Sequence, residues 1–350
     1  MRKKILSGLL LGLCSSSALA QVFADPLDTP ARQMVSPQNR PLLASSQHQP
    51  DIIAVGPRGL VVQISDQGIK QLPVPASSDL TSIYFTDPQH GWLAGHDGLI
   101  LHTRDGGTSW HKQLDGNSAL QQFRDFYTHF EHDNREHWLA ETELNLGQGA
   151  TLPFLDIHFL DQQQGFAVGA FGLNAVTQDG GQHWQPFLHG LDNPRGLHLN
   201  GITEHQGLLV IAAESGSLFI GDPKQLPLPH IQTPYAGSFF GAISFDNTLY
   251  AYGMRGNLWR SADLQQWQAE PVNARGSFSA AAADDNLLVL ATSAGEVFWK
   301  TSDSSTFAAL PVAPAPFAAI SLTEREVLLF GLRGLVRVAR PDLTDTAGTP

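Results

Sequence analysis

Cysteine is almost absent from this chain of 350 residues, since Cys14 is the only one. An internal disulfide, a thiol catalyst beyond residue 14 and a multi-cysteine metal site are therefore excluded. Methionine (3) and tyrosine (5) are also scarce, and charged residues make up 15%. No segment shows a helical hydrophobic period with recognisable caps. Glycine (33) and proline (22) are plentiful, which favours a fold with many tight turns.

Basic residues are outnumbered, with 21 Lys and Arg against 33 Asp and Glu and a formal net charge of −12. This balance argues against a nucleic-acid or anionic-membrane surface. Hydrophobic residues make up 42% of the chain. That share is enough for a full hydrophobic core, so global disorder is not expected.

The first twenty residues have the pattern of a secretory signal peptide. A positive start at Arg2–Lys4 precedes an apolar run, Ile5–Leu13, and a small-residue cleavage signal at Ala18–Ala20. The apolar run is too short to span a bilayer. We predict cleavage after Ala20, which removes three basic and no acidic residues and leaves a formal charge of −15. Export without disulfides suits a bacterial periplasm.

Cys14 leaves lipidation open as an alternative to simple cleavage. However, Leu13 stands directly before it, where a lipobox requires a small residue. We therefore expect a periplasmic protein rather than a lipoprotein.

A repeated unit determines the expected fold. Each unit starts on an apolar residue, and 17 or 18 positions later it has a turn glycine. Five of the six gaps between these glycines are 39 to 44 residues, and the sixth is 74. The starts are Leu42, Leu80, Phe154, Leu199, Phe239, Phe278 and Phe317, and the glycines are Gly59, Gly98, Gly172, Gly216, Gly256, Gly295 and Gly334.

Units of about 40 residues with several short strands are typical of propeller blades. We predict an all-β fold over residues 21–350: one seven-bladed β-propeller of four-stranded antiparallel blades. The strands are named A to D from the axis outward. The tail after Arg340 is a poor D strand for the last blade. We therefore predict that an N-terminal strand, Arg32–Ser36, closes the ring by pairing with the C strand of that blade.

A second motif follows the C strands, with the spacing Ser/Thr-x-Asp-x-Gly-x-x-Trp. It occurs twice in full and is eroded near Asp263 and Trp267. Asp can accept backbone N–H groups in such a turn, Gly supplies its unusual conformation and Trp packs between blades. We predict a structural role rather than a catalytic one. The residues of the complete copies are Thr103, Asp105, Gly107 and Trp110, then Thr177, Asp179, Gly181 and Trp184.

These turns resemble the Asp-box, or BNR, repeats of sialidases and related propellers. The longer unit Leu80–Trp110, repeated at Phe154–Trp184, is similar to the photosystem II stability/assembly factor family. The resemblance implies a seven-bladed propeller of the lumen or periplasm. It also implies a non-enzymatic protein that helps to assemble a membrane complex by binding its subunits through an arginine-rich face. The family resembled here also has relatives in bacteria that do not photosynthesise, some of them associated with membrane transporters.

Three turns between strands B and C place arginine directly before the glycine, at Arg58, Arg255 and Arg333. Arginine suits bidentate recognition of carboxylates, so we predict a partner-binding face here. A plain soluble tight turn is the alternative explanation.

An insertion from about 117 to 149 separates blades two and three and would emerge on the same face. Its aromatic residues, with Phe126, Tyr127 and Trp138 as the predicted partner contacts, could instead pack the insertion onto the propeller. His129, His132 and His137 also lie there, but their spacing matches no strong metal motif. We predict no metal site and no cofactor.

The main alternative to a protein-binding propeller is an enzyme. A sialidase or other glycoside hydrolase needs paired carboxylates in an axial pocket, and a carbohydrate-binding propeller needs aromatic platforms repeated from blade to blade. None of the five tyrosines has an evident Glu partner in sequence. We therefore predict a monomeric, non-enzymatic propeller that binds a membrane protein or its assembly intermediate.

Overall fold

The computed structural model describes residues 24–48, 51–147, 149 and 151–342. The predicted signal peptide lies outside these residues. Within them, 27 strands form seven antiparallel sheets arranged as the blades of a propeller. The predicted seven-bladed β-propeller of four-stranded blades is confirmed, with two helices added to it.

Each of the first six blades has four strands. They are numbered in chain order, which runs from the axis outward in every blade. The strands of blades one to three are β1 Ala44–His48, β2 Asp51–Gly56, β3 Leu60–Ser65 and β4 Gly68–Gln71; β5 Leu80–Phe85, β6 Gly91–Gly95, β7 Ile100–Thr103 and β8 His111–Leu114; β9 Phe154–Phe159, β10 Gly165–Gly169, β11 Asn174–Thr177 and β12 Gln185–Pro186.

The remaining blades follow the same order along the chain. Their strands are β13 Leu199–His205, β14 Leu208–Ala213, β15 Ser217–Gly221 and β16 His230–Gln232; β17 Phe239–Phe245, β18 Thr248–Gly253, β19 Leu258–Ser261 and β20 Gln268–Ala269; β21 Phe278–Ala283, β22 Leu288–Thr292, β23 Val297–Lys300 and β24 Ala308–Ala309; β25 Phe317–Leu322, β26 Glu326–Gly331 and β27 Gly334–Ala339.

The innermost strands contact one another in chain order, and β25 contacts β1 to complete the ring. The B strands are buried on both faces, because each blade packs against two neighbours. Their sequences are accordingly continuous apolar runs, as in Leu208–Ala213 and Leu288–Thr292. The hydrophobic core is thus divided into layers between blades rather than gathered at one centre.

A β-bulge near the start of the A strand recurs in several blades and helps to join them. The extra residue carries a polar side chain in blades two, four and six. Thr81 donates to the carbonyl of Phe154, and Ser279 donates to that of Phe317, both at 2.7 Å. Asn200 makes the same contact with the next blade. One inserted residue therefore becomes a link between adjacent blades.

The predicted closing strand is corrected by the structure. Arg32–Ser36 has no strand geometry, and the sheet of blade seven has three strands within the described residues. The Gln71 side chain instead holds the segment against blade one: its oxygen accepts from Met34 N, and its amide donates to Arg32 O. The seam between blades seven and one is joined farther along, where Leu42 N donates to Gly331 O at 3.1 Å.

Two helices lie between blades two and three, α1 at Gly116–His129 and α2 at Arg135–Leu146. Their presence corrects the expectation that no segment is helical. Asp115 caps α1 by accepting from Ser118 N, and the Ser118 hydroxyl accepts from Asp115 N in return, which is a capping box. Ala119 and Phe123 on α1 are buried against the core between blades two and three. The helices therefore form a fixed part of the propeller wall.

Candidate partner-binding face

One face of the propeller collects the turns between B and C strands and the connections from D to the next A strand. We call it the B–C face. Backbone hydrogen bonds join its two kinds of segment around the ring. Examples are Gly59 N to Ser78 O at 2.9 Å, Met254 N to Ser238 O at 3.0 Å and Leu332 N to Pro316 O at 3.2 Å. The tips of the B–C turns are therefore held in place rather than left as loose loops.

The residue before the turn glycine has an unusual backbone conformation in blades one to five. Its φ lies between 53° and 62° at Arg58, Asp97, Phe171, Ser215 and Arg255. The left-handed region costs an ordinary residue roughly 1–2 kcal/mol, so glycine would relieve strain at these tips. The chain has residues other than glycine there instead. Strain of this kind is typical of positions selected for what the side chain presents.

All three predicted arginines lie on the B–C face and are exposed to solvent. The backbone N–H of Arg58 donates to Asp79 Oδ1 at 2.8 Å, and that of Arg255 donates to the Ser277 hydroxyl at 3.0 Å. Within residues 24–48, 51–147 and 151–342, no hydrogen bond or ion pair engages the guanidinium groups of Arg58, Arg255 or Arg333. The turns are anchored while the charges remain available.

Sequence reasoning missed the apolar residues beside these arginines. Met254 is 38% exposed and directly precedes Arg255, and Leu332 is 58% exposed and directly precedes Arg333. Phe171, at the tip of blade three, is 55% exposed. Large exposed hydrophobic side chains next to unpaired arginines are typical of recognition surfaces. Met254 and Leu332 lie two places before their turn glycines and Phe171 lies one place before Gly172, so these residues do not form a repeat that the sequence displays.

Three of the B–C turn tips carry arginine and two carry an acidic residue. Blades five, seven and one carry the three arginines, and Arg275 lies in the connection between blades five and six, paired with Glu296 at 2.9 Å. The tips of blades two and four instead carry acidic residues, Asp97 and Glu214. The arginine tips and the acidic tips thus lie on different blades, while the connections of this face also carry Asp79 beside Arg58 and exposed Arg195 between blades three and four.

The predicted aromatic contacts of the insertion divide by burial. Phe126 and Trp138 are partly exposed, and their rings belong to a cluster with Phe130 and His189. Tyr127 is 0% exposed, so its assignment as a partner contact is corrected: it packs the insertion onto blade three. Its hydroxyl lies 3.2 Å from His189 Nδ1. Burial raises the pKa of Tyr127 and lowers the pKa of His189 to about 4.

The insertion histidines are not gathered into a metal site. No group of three His, Cys, Asp or Glu side chains suited to a metal ion occurs in the described part of the chain. His137 Nε2 instead lies 3.4 Å from Glu141, and the ring of His132 lies 4.7 Å from that of Trp138.

The Asp-box turns lie on the opposite face, between C and D strands. In blade three the Thr177 hydroxyl accepts from Gly181 N at 2.8 Å and donates to Asp179 Oδ1 at 2.9 Å. Asp179 Oδ1 also accepts from His183 N. These bonds lower the pKa of Asp179 despite the opposing effect of its partial desolvation. Trp184 is buried between blades two and three.

The blade-two and blade-five copies have related geometry. Thr103 bridges Asp105 Oδ1 and Gly107 N, and Trp110 is buried against blade one. In blade five Asp263 Oδ1 accepts from Gln265 N, and Trp267 is buried between blades four and five. In each turn the carboxylate is occupied by its own backbone.

A half-buried acid, Asp156, lies on the innermost strand of blade three and has three hydrogen-bond donors. Asp156 on β9 accepts from the Ser82 hydroxyl at 2.6 Å and from the backbone N–H groups of Ile157 and Ile202 at 2.9 Å. Burial raises its pKa, and these three donors oppose that rise. Asp156 thereby links the inner strands of blades two, three and four. A cavity of about 770 Å³ opens toward the other end of the axial channel, with Asp284 at its rim held by Arg340.

No helix among the described residues has both the length and the hydrophobicity needed to cross a bilayer.

Comparison with known proteins gives matches of sequence and of fold. Residues 62–144 match the sequence model of a family described as photosynthesis system II assembly factor YCF48. The chloroplast photosystem II stability/assembly factor HCF136 of Cyanidioschyzon merolae is 56% identical over 43 residues, which are 12% of this chain and 10% of that protein. A photosystem II assembly lipoprotein of a Synechococcus species is 27% identical over 133 residues, which are 33% of this chain and 39% of that protein. The chain thus matches between a tenth and two fifths of the length of these relatives.

A solved structure described as YCF48 bound to D1 peptide has a TM-score of 0.63 with this chain. The alignment covers 89% of this chain and 100% of that one at 16% identity. At this identity the likeness concerns the fold alone, and it extends well beyond the segment matched by sequence.

Proposed function

We propose a function in keeping with the photosystem II assembly factor-like family of seven-bladed propellers. The repeats of the chain resemble this family, and its matches support the resemblance. The chain acts as a non-enzymatic accessory factor. It captures a segment of a membrane protein, or of an assembly intermediate, on the B–C face. Export to the periplasm through a signal peptide cleaved after Ala20 places it where such segments emerge from the membrane.

The observation that carries this proposal is the pairing of unengaged arginines with exposed apolar residues at anchored turn tips. Met254 with Arg255 and Leu332 with Arg333 repeat the pairing on two blades. Arg58 adds a third charge on the blade next to Arg333. A segment that carries carboxylates and apolar side chains would satisfy both components. The neighbour described as bound to a peptide adds support, since it shares the fold over the same length.

Two kinds of client protein would fit this surface. One is a photosystem subunit, in keeping with the names of the relatives. The other is a transporter subunit in a bacterium that does not photosynthesise. Both have membrane-emergent segments, so the same surface would serve either.

The test is capture of the client by the exported protein in cells. Crosslinking followed by identification of the captured protein names the client. The variant R58E/R255E/R333E should lose capture and remain folded, because all three side chains are exposed and unpaired. The control R104E/K224E/R325E changes the same charge at exposed positions on the opposite face, in turns between C and D or A and B strands. It should capture the client as the parent does.

Equal capture by the two triple variants would refute the B–C face as the binding surface. Loss of capture in both would show that overall charge, rather than this face, controls the interaction.

A further inference from the structure

A cleft beside the B–C turn tip of blade three is lined by aromatic and acidic side chains. It lies between α2 and the loops of blades three and four and has a volume of about 380 Å³. Trp138 and Glu141 line it from α2, and Phe171 and His189 line it from blade three. Its size is near the lower limit for small-ligand sites and suits one side chain rather than a large ligand.

The walls of the cleft are aromatic. Trp138 and Glu141 are three residues apart on α2 and therefore lie on the same side of that helix. The Trp138 ring is held by neighbouring rings, with His132 at 4.7 Å and His189 at 5.9 Å between centroids. A ring held in this way needs little further ordering to contact a ligand, and the face of an indole ring attracts cations.

Glu141 is the acidic component. Its side chain is 27% exposed, and its one ion-pair contact within the described chain is with His137 at 3.4 Å. That contact compensates the carboxylate only while His137 carries a proton. Burial raises the pKa of Glu141 and His137 opposes the rise. Glu141 is therefore a partly desolvated carboxylate that a cationic ligand could pair with.

The opposite wall adds a second carboxylate and no cation. Asp192 lines the cleft, is exposed, and makes no hydrogen bond or ion pair among the described residues. Arg195 lies close by in sequence, but its side chain does not line the cleft. The described lining therefore contains two carboxylates, aromatic rings and three histidines, and no lysine or arginine.

We propose that this cleft binds a cationic group, the ammonium or guanidinium of a basic side chain. The cation lies over the Trp138 ring and pairs with Glu141, while Asp192 attracts it from the other wall. The site goes beyond the function proposed above, since it needs no particular client. It also completes the charge pattern of the face: carboxylates are recognised on blades five, seven and one, and a basic residue between blades three and four.

The experiment follows the indole N–H signals of the folded chain by NMR, with the Trp138 signal assigned by W138F. The probe is N-acetyl-arginine amide, and N-acetyl-lysine amide is the second cation. Each should shift the Trp138 signal in a saturable way. Citrulline amide, which is a neutral isostere of arginine, and N-acetyl-glutamate should not.

Two matched variants separate the site from general attraction to an acidic protein. E141Q removes the charge that lines the cleft and should weaken binding of the arginine probe at least tenfold. E136Q removes a charge from an exposed position on the same helix, outside the cleft, and should bind as the parent does. Unchanged indole signals from the other tryptophans show that both variants remain folded.

Several results would overturn the proposal. These are no saturable shift with either cation, equal affinity for the citrulline probe, equal weakening by E136Q and E141Q, or a saturable shift with methyl glucoside instead of the cations. The last result would indicate a carbohydrate site. Because the probes are small, failure here leaves client capture by the arginines unaffected, and loss of capture in the arginine variant leaves this site unaffected.

Discussion

Replacement of Thr177 with valine tests whether the Asp-box turns hold the blades together. Valine keeps the shape of threonine and replaces its hydroxyl with a methyl group. That hydroxyl is fully buried and serves three neighbours: it accepts from Gly181 N and Asp179 N and donates to the Asp179 carboxylate. The turn it closes positions Trp184 between blades two and three.

The expected cost follows from these bonds. The Gly181 N–H is buried, and leaving such a donor without an acceptor costs about 1–3 kcal/mol. Loss of the bond to Asp179 adds about 1 kcal/mol, less than the usual value for a charged acceptor, because that carboxylate keeps His183 N and is partly exposed to water. We therefore expect T177V to lower the free energy of unfolding by about 2–4 kcal/mol.

The matched control is T177S, which keeps the hydroxyl and removes one methyl group. It should cost about 1 kcal/mol, the value for one buried methylene. Urea titration of both variants, followed by tryptophan fluorescence and circular dichroism, gives the difference. Coincident transitions by the two probes are needed before a single free energy is assigned.

Equal destabilisation by valine and serine would refute the hydrogen-bond argument. A valine variant of full stability that fails to capture the client would contradict the structural role altogether and place the Asp-box in the binding surface.

Three further predictions concern single side chains. Burial lowers the pKa of His102 to about 4, so the unfolded chain binds this proton at a higher pH than the folded chain does. The free energy of unfolding should therefore fall as the pH drops from about 6.5 to 4, by at most about 1.4 kcal/mol per pH unit for this group. H102Q should reduce that slope in urea titrations at successive pH values. G334A should lower the free energy of unfolding by about 2 kcal/mol or more, because φ is +85° and the new methyl group would meet a backbone carbonyl at the seam between blades seven and one. G68A is the control: its methyl group meets nothing within 4 Å, and it should cost about half of that in the same titration. Y127F should cost about 1 kcal/mol and leave client capture unchanged, and loss of capture in a stable Y127F would restore this residue to the binding surface.

The helices of the insertion show where local reasoning stopped short. A signal was present, since Asp115 and Ser118 have the spacing of a cap and Phe123 and Tyr127 are four residues apart. The apolar stripe of each helix is narrow, so the pattern does not stand out from a loop with scattered aromatic residues. Burial against blades two and three, which the sequence does not display, stabilises these helices.

The closing strand shows a different limit. The sequence shows no outer partner for the last C strand, and Arg32–Ser36 lies just before the first A strand. For these two reasons the sequence predicts that they pair. The structure brings Gln71 of the outermost strand of blade one to that segment instead, and two side-chain hydrogen bonds decide the outcome. Contacts between positions 37 or more residues apart have no local signature.

By itself the sequence determined the repeat, the all-β class and the family resemblance, because each depends on apolar residues and glycines whose spacing follows from strand and turn geometry within a single blade. It also placed arginine at three turn tips. Only the tertiary structure decided which of these features share a surface. Closure of the ring brings Met254, Leu332 and the arginines to one face, buries Tyr127, and sets α2 beside blades three and four to form the cleft. The physical reason is that exposure and electrostatic pairing belong to the packed blades together, whereas a strand or a turn is specified by its own few residues.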